Sequence, residues 1–407
     1  MPPGDVDGTS IAPLYSAEPA FDERILERAL SFERTVPTGT YTSANEHLQL
    51  TLKEQVDGVS IPSYGRQGLV KGELVPSDPG GIVSVDVKLK GKLEMALGGI
   101  ARPASTEFFS LKRNIWRAGD PPATSAGASA STQSCPACLS FRMKLPPMYR
   151  GRILKERPLP PSCAITLPAC AVACKYTLTL LVSKAPRLGV LRRRQSLTVD
   201  VDYHPEMLPP RPAAPLDTSF SGTGIPLSSA WHEVKSTVQT RYKSGIRPIS
   251  CRFYIPSTRI FGLSSPIPFH IRLTGPPASL RALYTQNSAA TENVHIVRVQ
   301  LMRTVHANSY GNQERTTVPI GEGEVYALPP RNPGPDGSEV LEWQGNVRCT
   351  EDVAVGGLVV DDILTIRDYM VLHVHPPTTH SSPLQDMESM QELLLVDDRW
   401  SLDSRRA

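Results

Sequence analysis

The chain has 407 residues, and its 43 Lys+Arg against 40 Asp+Glu leave a net charge of only +3. That balance excludes the chain-wide positive field of a dedicated nucleic-acid binder, so no nucleic-acid partner is expected and any basic site must be local. The length suggests two domains with connecting and terminal segments. The 39 Pro and 29 Gly punctuate the chain too often for long helices but suit short strands and turns.

The first residues, MPPGDVDGTS, have neither the basic flank nor the apolar stretch of a signal peptide, and no run approaches the roughly 20 apolar residues that cross a bilayer. A soluble, cytoplasmic protein without a transmembrane segment is expected. Seven cysteines, an odd number at irregular spacing, fit reduced thiols with no structural disulfide. Residues 1–45 read as an N-terminal extension, in which Phe21, Ile25, Ala29 and Phe32 share one face of a short amphipathic helix.

Strict alternation then takes over. From Val83 to Met95, Val83, Val85, Val87, Leu89, Leu93 and Met95 share one parity, while Ser84, Asp86, Lys88, Lys90, Lys92 and Glu94 share the other. This period of two predicts a strand that buries one face and wets the other. Cys170–Val182 and Leu197–Tyr203 repeat the pattern. Gly119–Ser140 is a low-complexity insertion, and the Pro, Gly and Ser stretch Met207–Leu227 reads as an interdomain linker. Strands resume at Val234–Gln239, Ile267–Leu273, Val294–Leu301 and Ile366–Val374, with a second Pro and Gly-rich loop at Leu328–Ser338. Near the end, Met387, Met390 and Leu394 have helical spacing, which predicts a second short terminal helix. The fold class is therefore all-β.

Four segments together resemble the arrestin family, particularly the arrestin-like proteins of fungi. They are GLVKGELVPSDPGGIVSVDVKLKGKLE (68–94), FRMKLP followed by RPLPPS (141–162), KYTLTLLV (175–182) and RRRQSLTVDVDYHPEMLPPRP (192–212). FHIRLTG (269–275) and VGGLVVDDILTIRDYMVLHV (355–374) resemble the second arrestin domain. The resemblance implies two tandem immunoglobulin-like β-sandwiches, at 46–212 and 228–377, joined by a linker at 213–227 and followed by an acidic tail at 378–407. It also implies an adaptor without an active site, which binds cytoplasmic tails of membrane proteins and recruits trafficking or ubiquitination machinery at the plasma membrane or endosomes. Roles in endocytosis, protein transport and signalling regulation would follow. The alternative is a constitutive structural subunit of a retromer-like coat.

Several short motifs bear on partners. Pro146, Pro147 and Tyr149 belong to a PPxY sequence, whose prolines preform a polyproline II turn and whose tyrosine enters the groove of a WW domain, here that of a ubiquitin ligase. The same prolines could simply end the strand Phe141–Lys144. Leu393, Leu394, Val396 and Asp397 fit a clathrin box, an extended peptide with apolar side chains for a groove, though the segment also fits a docked helix. Ser196 follows Arg193 and Arg194 as in a basophilic kinase site, with an exposed strand start as the plain alternative. Lys88, Lys90 and Lys92, with Arg192, Arg193 and Arg194, are candidate anion-binding residues for phosphorylated tails or acidic lipid headgroups.

Cys135 and Cys138 form CPAC, the only support for a metal or redox protein, but the motif lies in a loop of an all-β chain rather than a βαβ unit. Cys170 and Cys174 could complete a zinc site only if their strand parity did not point them into the core. His373 and His375 share a strand face, and the sequence shows no third ligand beside them. No catalytic triad, phosphate loop or carboxylate pair stands out, and GEGE at 321–324 lacks the Lys of a P-loop. Neither an enzyme nor a cofactor or metal is expected.

Overall fold

The structure is a computed structural model that describes residues 37–98, 103–119, 134–151, 155–185, 193–205, 230–283, 296–309, 311–329, 337–350, 353–376 and 382–396. The expected N-terminal helix, the stretch 207–227, Arg192 and Asp397 lie outside these residues. Thr38–Ala407 packs as one compact unit. Among the described residues the fold is all-β with a single short helix.

In the first half, β1 (Gly39–Ala44), β2 (Leu48–Gln55), β3 (Ser63–Tyr64), β4 (Leu69–Pro76), β5 (Ile82–Leu97) and β6 (Ala104–Arg117) are followed by β7 (Leu139–Lys144), β8 (Met148–Arg150), β9 (Glu156–Pro158), β10 (Cys163–Thr166), β11 (Cys170–Lys184) and β12 (Arg194–Tyr203). They form a four-stranded sheet, β1-β2-β4-β7, and a larger sheet, β3-β12-β11-β5-β6, with β10 added on β11 and a separate β8-β9 pair. The long strands β5 and β11 pair antiparallel along nearly their whole length. Leu50, Leu52, Val70 and Phe141 from the smaller sheet meet Val85, Val87, Leu89, Leu178 and Val199 from the larger in one sandwich-like core. Burial of each such side chain stabilises the fold by about 1.5–3 kcal/mol.

The second half contains β13 (Trp231–Val238), β14 (Ile249–Pro256), β15 (Ile260–Gly262), β16 (Ile267–Gly275), the helix α1 (Pro277–Arg281), β17 (Val297–Ser309), β18 (Asn312–Ala327), β19 (Glu339–Val347), β20 (Val359–Val360), β21 (Leu364–Val374) and β22 (Met387–Val396). These strands make one continuous curled sheet, β13-β14-β16-β19-β18-β17-β21-β22-β15, with β20 on β21. Its ends approach each other: His232 Nε2 on β13 lies 3.2 Å from Gln391 Oε1 on β22, and Thr240 bridges Leu384 just beyond. Curling lets the sheet enclose its own core of Phe253, Phe269, Ile271, Val299, Leu301, Leu372 and Leu395.

A third apolar cluster joins the halves. Leu93, Met95 and Leu97 at the end of β5, with Ile165 and Val172, pack against Val305, Ala307, Ile363, Leu364 and Ile366. Beside this cluster Arg303, almost fully buried, grips Asp368 through two hydrogen bonds of 2.7 and 3.0 Å and donates a third, 2.7 Å, to the Ala354 carbonyl. Charges paired and hydrogen-bonded in this way are tolerated in such a setting, whereas either charge alone would be costly.

The C-terminal segment differs from expectation. Met387–Val396 forms β22, antiparallel to β21 and, at its end, parallel to β15, rather than a helix. Inward-facing Met387, Ser389, Leu393 and Leu395 follow period two, but a serine holds one of those positions and apolar Met390 faces out. The apolar residues alone therefore mimic helical spacing.

Candidate functional site

The outer face of the larger first-half sheet gathers the most concentrated group of cations that the sequence singled out. Antiparallel register sets Thr198, Thr179, Lys88 and Lys112 side by side across β12, β11, β5 and β6. The next row contains Asp200, Thr177, Lys90 and Ser110, and beyond it Lys175, Lys92 and Glu107. Thr179 and Thr198 share a hydrogen bond of 3.1 Å, which fixes the hydroxyl end of the first row. The backbone ladder holds all these side chains on a rigid surface.

Most of the charges on this face cancel locally. Lys90 pairs with Glu107 at 2.9 Å, Lys112 with Asp86 at 3.1 Å and Lys175 with Glu94 at 2.7 Å. Lys90 and Lys175 are held above the usual ammonium range, chiefly by hydrogen bonds to Glu107 and Glu94 respectively. Lys88 behaves differently. It forms no ion pair within 4 Å among the described residues, and its ammonium is held below the usual range, first by lost solvation and then by Lys90 and Lys112, against the opposing pull of the Glu107 charge. Lys92 likewise forms no ion pair among the described residues. A phosphate group could accept from Lys88 and relieve the repulsion around it, while Lys92, two rows away, could meet a second acidic group of the same partner.

The arginines do not complete this site. Arg193 and Arg194 are exposed where β12 begins, and Arg194 lies in a row with Ser183 and Ser84. That row is four residues along β5 from Lys88, roughly 13 Å at ~3.3 Å per residue. Lys112, Thr179 and Thr198 were not singled out in the sequence. The register shifts between Val85 and Asp86 and between Gly91 and Lys92 break up the alternation of β6 and hide its strand. Ser196 is exposed, and its carbonyl accepts a 2.9 Å hydrogen bond from Asn45 Nδ2.

Two candidate recruitment peptides are corrected by burial. Tyr149 of the PPxY sequence is 5% exposed, packs on the ring of Phe108 at 5.4 Å and points its hydroxyl toward Asp361 Oδ1 at 3.5 Å. Burial, followed by the nearby Asp361 charge, pushes its phenol up to about 12. Next to it, a Cβ at Gly151 would collide with the Asp361 carboxylate, so the backbone there is closed over the acid. Tyr149 thus pins β8 against the second half and cannot enter a WW groove while Pro146 and Pro147 stay in place.

The clathrin-box residues meet a similar obstacle. Leu393 and Leu395 lie in the second core, Val396 is fully buried, and partly buried Leu394 leaves no room for a Cβ at Gly357. Leu394–Val396 also pair with Ile260–Gly262, so presenting the peptide would require stripping a strand from the sheet. Among the cysteines, Cys135 is buried and Cys138 exposed, so the CPAC thiols do not present a common face. Cys170 and Cys174 are core residues, as their parity indicated, and burial pushes both thiols up. All seven cysteines are free.

No protein-family model matches the chain, and no curated protein matches it. The functional reading therefore rests on the geometry.

Proposed function

We propose that the chain is an arrestin-like, non-enzymatic scaffold of two tandem immunoglobulin-like sandwiches, and that its lysine face binds anionic peptide segments such as phosphorylated cytoplasmic tails of membrane proteins. The observation that carries the reading is Lys88, a partly buried cation in no close ion pair among the described residues, crowded by Lys90 of the next row and by Lys112 in a row that ends in two hydroxyls. The shared apolar core at the junction supports a scaffold that acts as one body. Burial of Tyr149, Leu393 and Val396 supports recruitment through the lysine face rather than through the PPxY and leucine-rich peptides.

The test is the affinity of the full chain for a phosphopeptide and its unphosphorylated twin. Phosphorylation is expected to tighten binding, and Lys88→Glu to weaken the phosphopeptide alone by at least about tenfold, since a charge-assisted hydrogen bond contributes about 1.5–3 kcal/mol. Equal affinity for both peptides, or an unchanged affinity in Lys88→Glu, would overturn the proposal.

Burial of Tyr149 and Leu393 also favours a second reading, a constitutive subunit of a coat-like complex, since such a subunit needs no exposed recruitment peptide. Affinity purification at native level separates the two. A stoichiometric complex that survives Lys88→Glu fits the subunit, and capture that depends on phosphorylation fits the adaptor.

A further inference from the structure

β21 ends at Val374, but the His375 N–H still donates to the Ile296 carbonyl at 2.8 Å, so that His373 and His375 project from the same face. Their imidazoles are stacked, with centroids 5.5 Å apart and planes only 10° from parallel. The neighbouring strand β22 and its approach bring up two carboxylates in register: Glu388 lies opposite His373, and Asp386 stands beside His375. His375 Nδ1 is 3.3 Å from Asp386 Oδ1, and His373 Nδ1 is 3.9 Å from Glu388 Oε2. A carboxylate accepts and does not donate, so Asp386 selects the tautomer of His375 that has its proton on Nδ1, and the field of Glu388 favours the same in His373. The lone pairs then reside on both Nε2 atoms.

A ligating histidine commonly has this arrangement, one ring nitrogen free for a metal and the other donating to a carboxylate that orients the ring and raises its basicity. Here two such histidines stand side by side. We propose that His373 and His375 chelate a first-row transition-metal dication through their Nε2 atoms, with Asp386 and Glu388 as orienting carboxylates. Among the described residues no three His, Cys, Asp or Glu side chains form a ready-made cage. The site is therefore an open two-imidazole chelate whose other positions are taken by water. Two nitrogens bound at about 2.0–2.1 Å can be at most about 4 Å apart, so the rings must lean together by roughly 1 Å or more. Both side chains are partly exposed, 18% for His373 and 41% for His375, which leaves room for that movement.

The surroundings set the chemistry. Arg298 on β17 lies in register with His373, but Glu322 holds its guanidinium through hydrogen bonds of 2.7 and 3.0 Å and offsets its charge. Imidazole ligands suit Cu(II), Ni(II) and Zn(II), and Cu(II) binds tightest in the usual order.

The test uses the full chain after chelator treatment, titrated with Cu(II) at pH 7.4 and followed by electron paramagnetic resonance. The expected result is one tight Cu(II) per chain with hyperfine structure from two imidazole nitrogens. His373→Asn or His375→Asn should leave one nitrogen, and Asp386→Asn should weaken binding by about tenfold or more while both nitrogens remain. Circular dichroism of each variant checks that it stays folded. The proposal is overturned if Cu(II) binds no tighter than to a protein lacking paired histidines, or if the double variant His373→Asn/His375→Asn keeps the signal of the parent.

Discussion

The leucine-rich strand β22 and the lysine face of β5 exchange roles between sequence and structure. LLLVD looks like a ready peptide ligand, yet Leu393 and Leu395 lie in the second core, and its backbone pairs with β21 at Leu393 and with β15 from Leu394 to Val396. The lysines look like an ordinary wetted face, yet Lys88 sits crowded by Lys90 and Lys112 and forms no close ion pair among the described residues. A linear motif is usable only when its side chains lie outside the fold. In strands, parity decides that question, and residue composition does not.

The largest expected effect deepens the contrast from the interior side. Asp368→Ala leaves buried Arg303 unpaired and should destabilise the chain by about 3–5 kcal/mol in denaturant titration. A change below about 1 kcal/mol would mean that the junction is open to water. Leu395→Ala removes a fully buried side chain and should cost about 2–5 kcal/mol while leaving phosphopeptide affinity unchanged wherever the variant is folded. If that variant keeps the parental melting temperature and instead loses binding to a clathrin groove, β22 is a ligand after all.

Tyr149 gives a smaller effect with a distinctive pH signature. Its raised pKa means that its contribution is complete below the ordinary phenol value of about 10 and is lost as pH rises toward 12. Tyr149→Phe should cost about 1 kcal/mol at neutral pH and flatten the alkaline decline in stability. An identical alkaline limb in parent and variant would place the phenol in solvent. The smallest effect belongs to Arg298→Ala, whose pair with Glu322 is about half exposed and should contribute no more than about 1 kcal/mol. A larger loss would show that exposed and buried arginine pairs on β17 are less different than their settings indicate.

How much could be read from the sequence followed from the regularity of each strand. Val85, Val87, Leu89 and Leu93 alternate without interruption, so β5 and its lysine face were plain, as were β11 and β12. β6 carries two register shifts against β5, which concealed Lys112, and β22 places Ser389 inside and Met390 outside, which favoured a helical reading. That error also concealed Asp386 and Glu388 as partners for His373 and His375, because only an adjacent strand brings them into register. The Tyr149 and Asp361 contact joins positions 212 residues apart, and no local pattern announces it.

On this proposal the lysine face, and not the buried motifs, receives the partner. Lysine-reactive footprinting by mass spectrometry tests it most directly. In the free protein the lowered pKa of Lys88 should make it react faster than Lys90, whose ammonium is stabilised by Glu107. Saturating phosphopeptide should then protect Lys88, Lys92 and Lys112 while Lys235, on β13 of the second half, stays as reactive as before. Protection confined to other lysines, or reactivity at Lys88 unchanged by a bound phosphopeptide, would contradict the account.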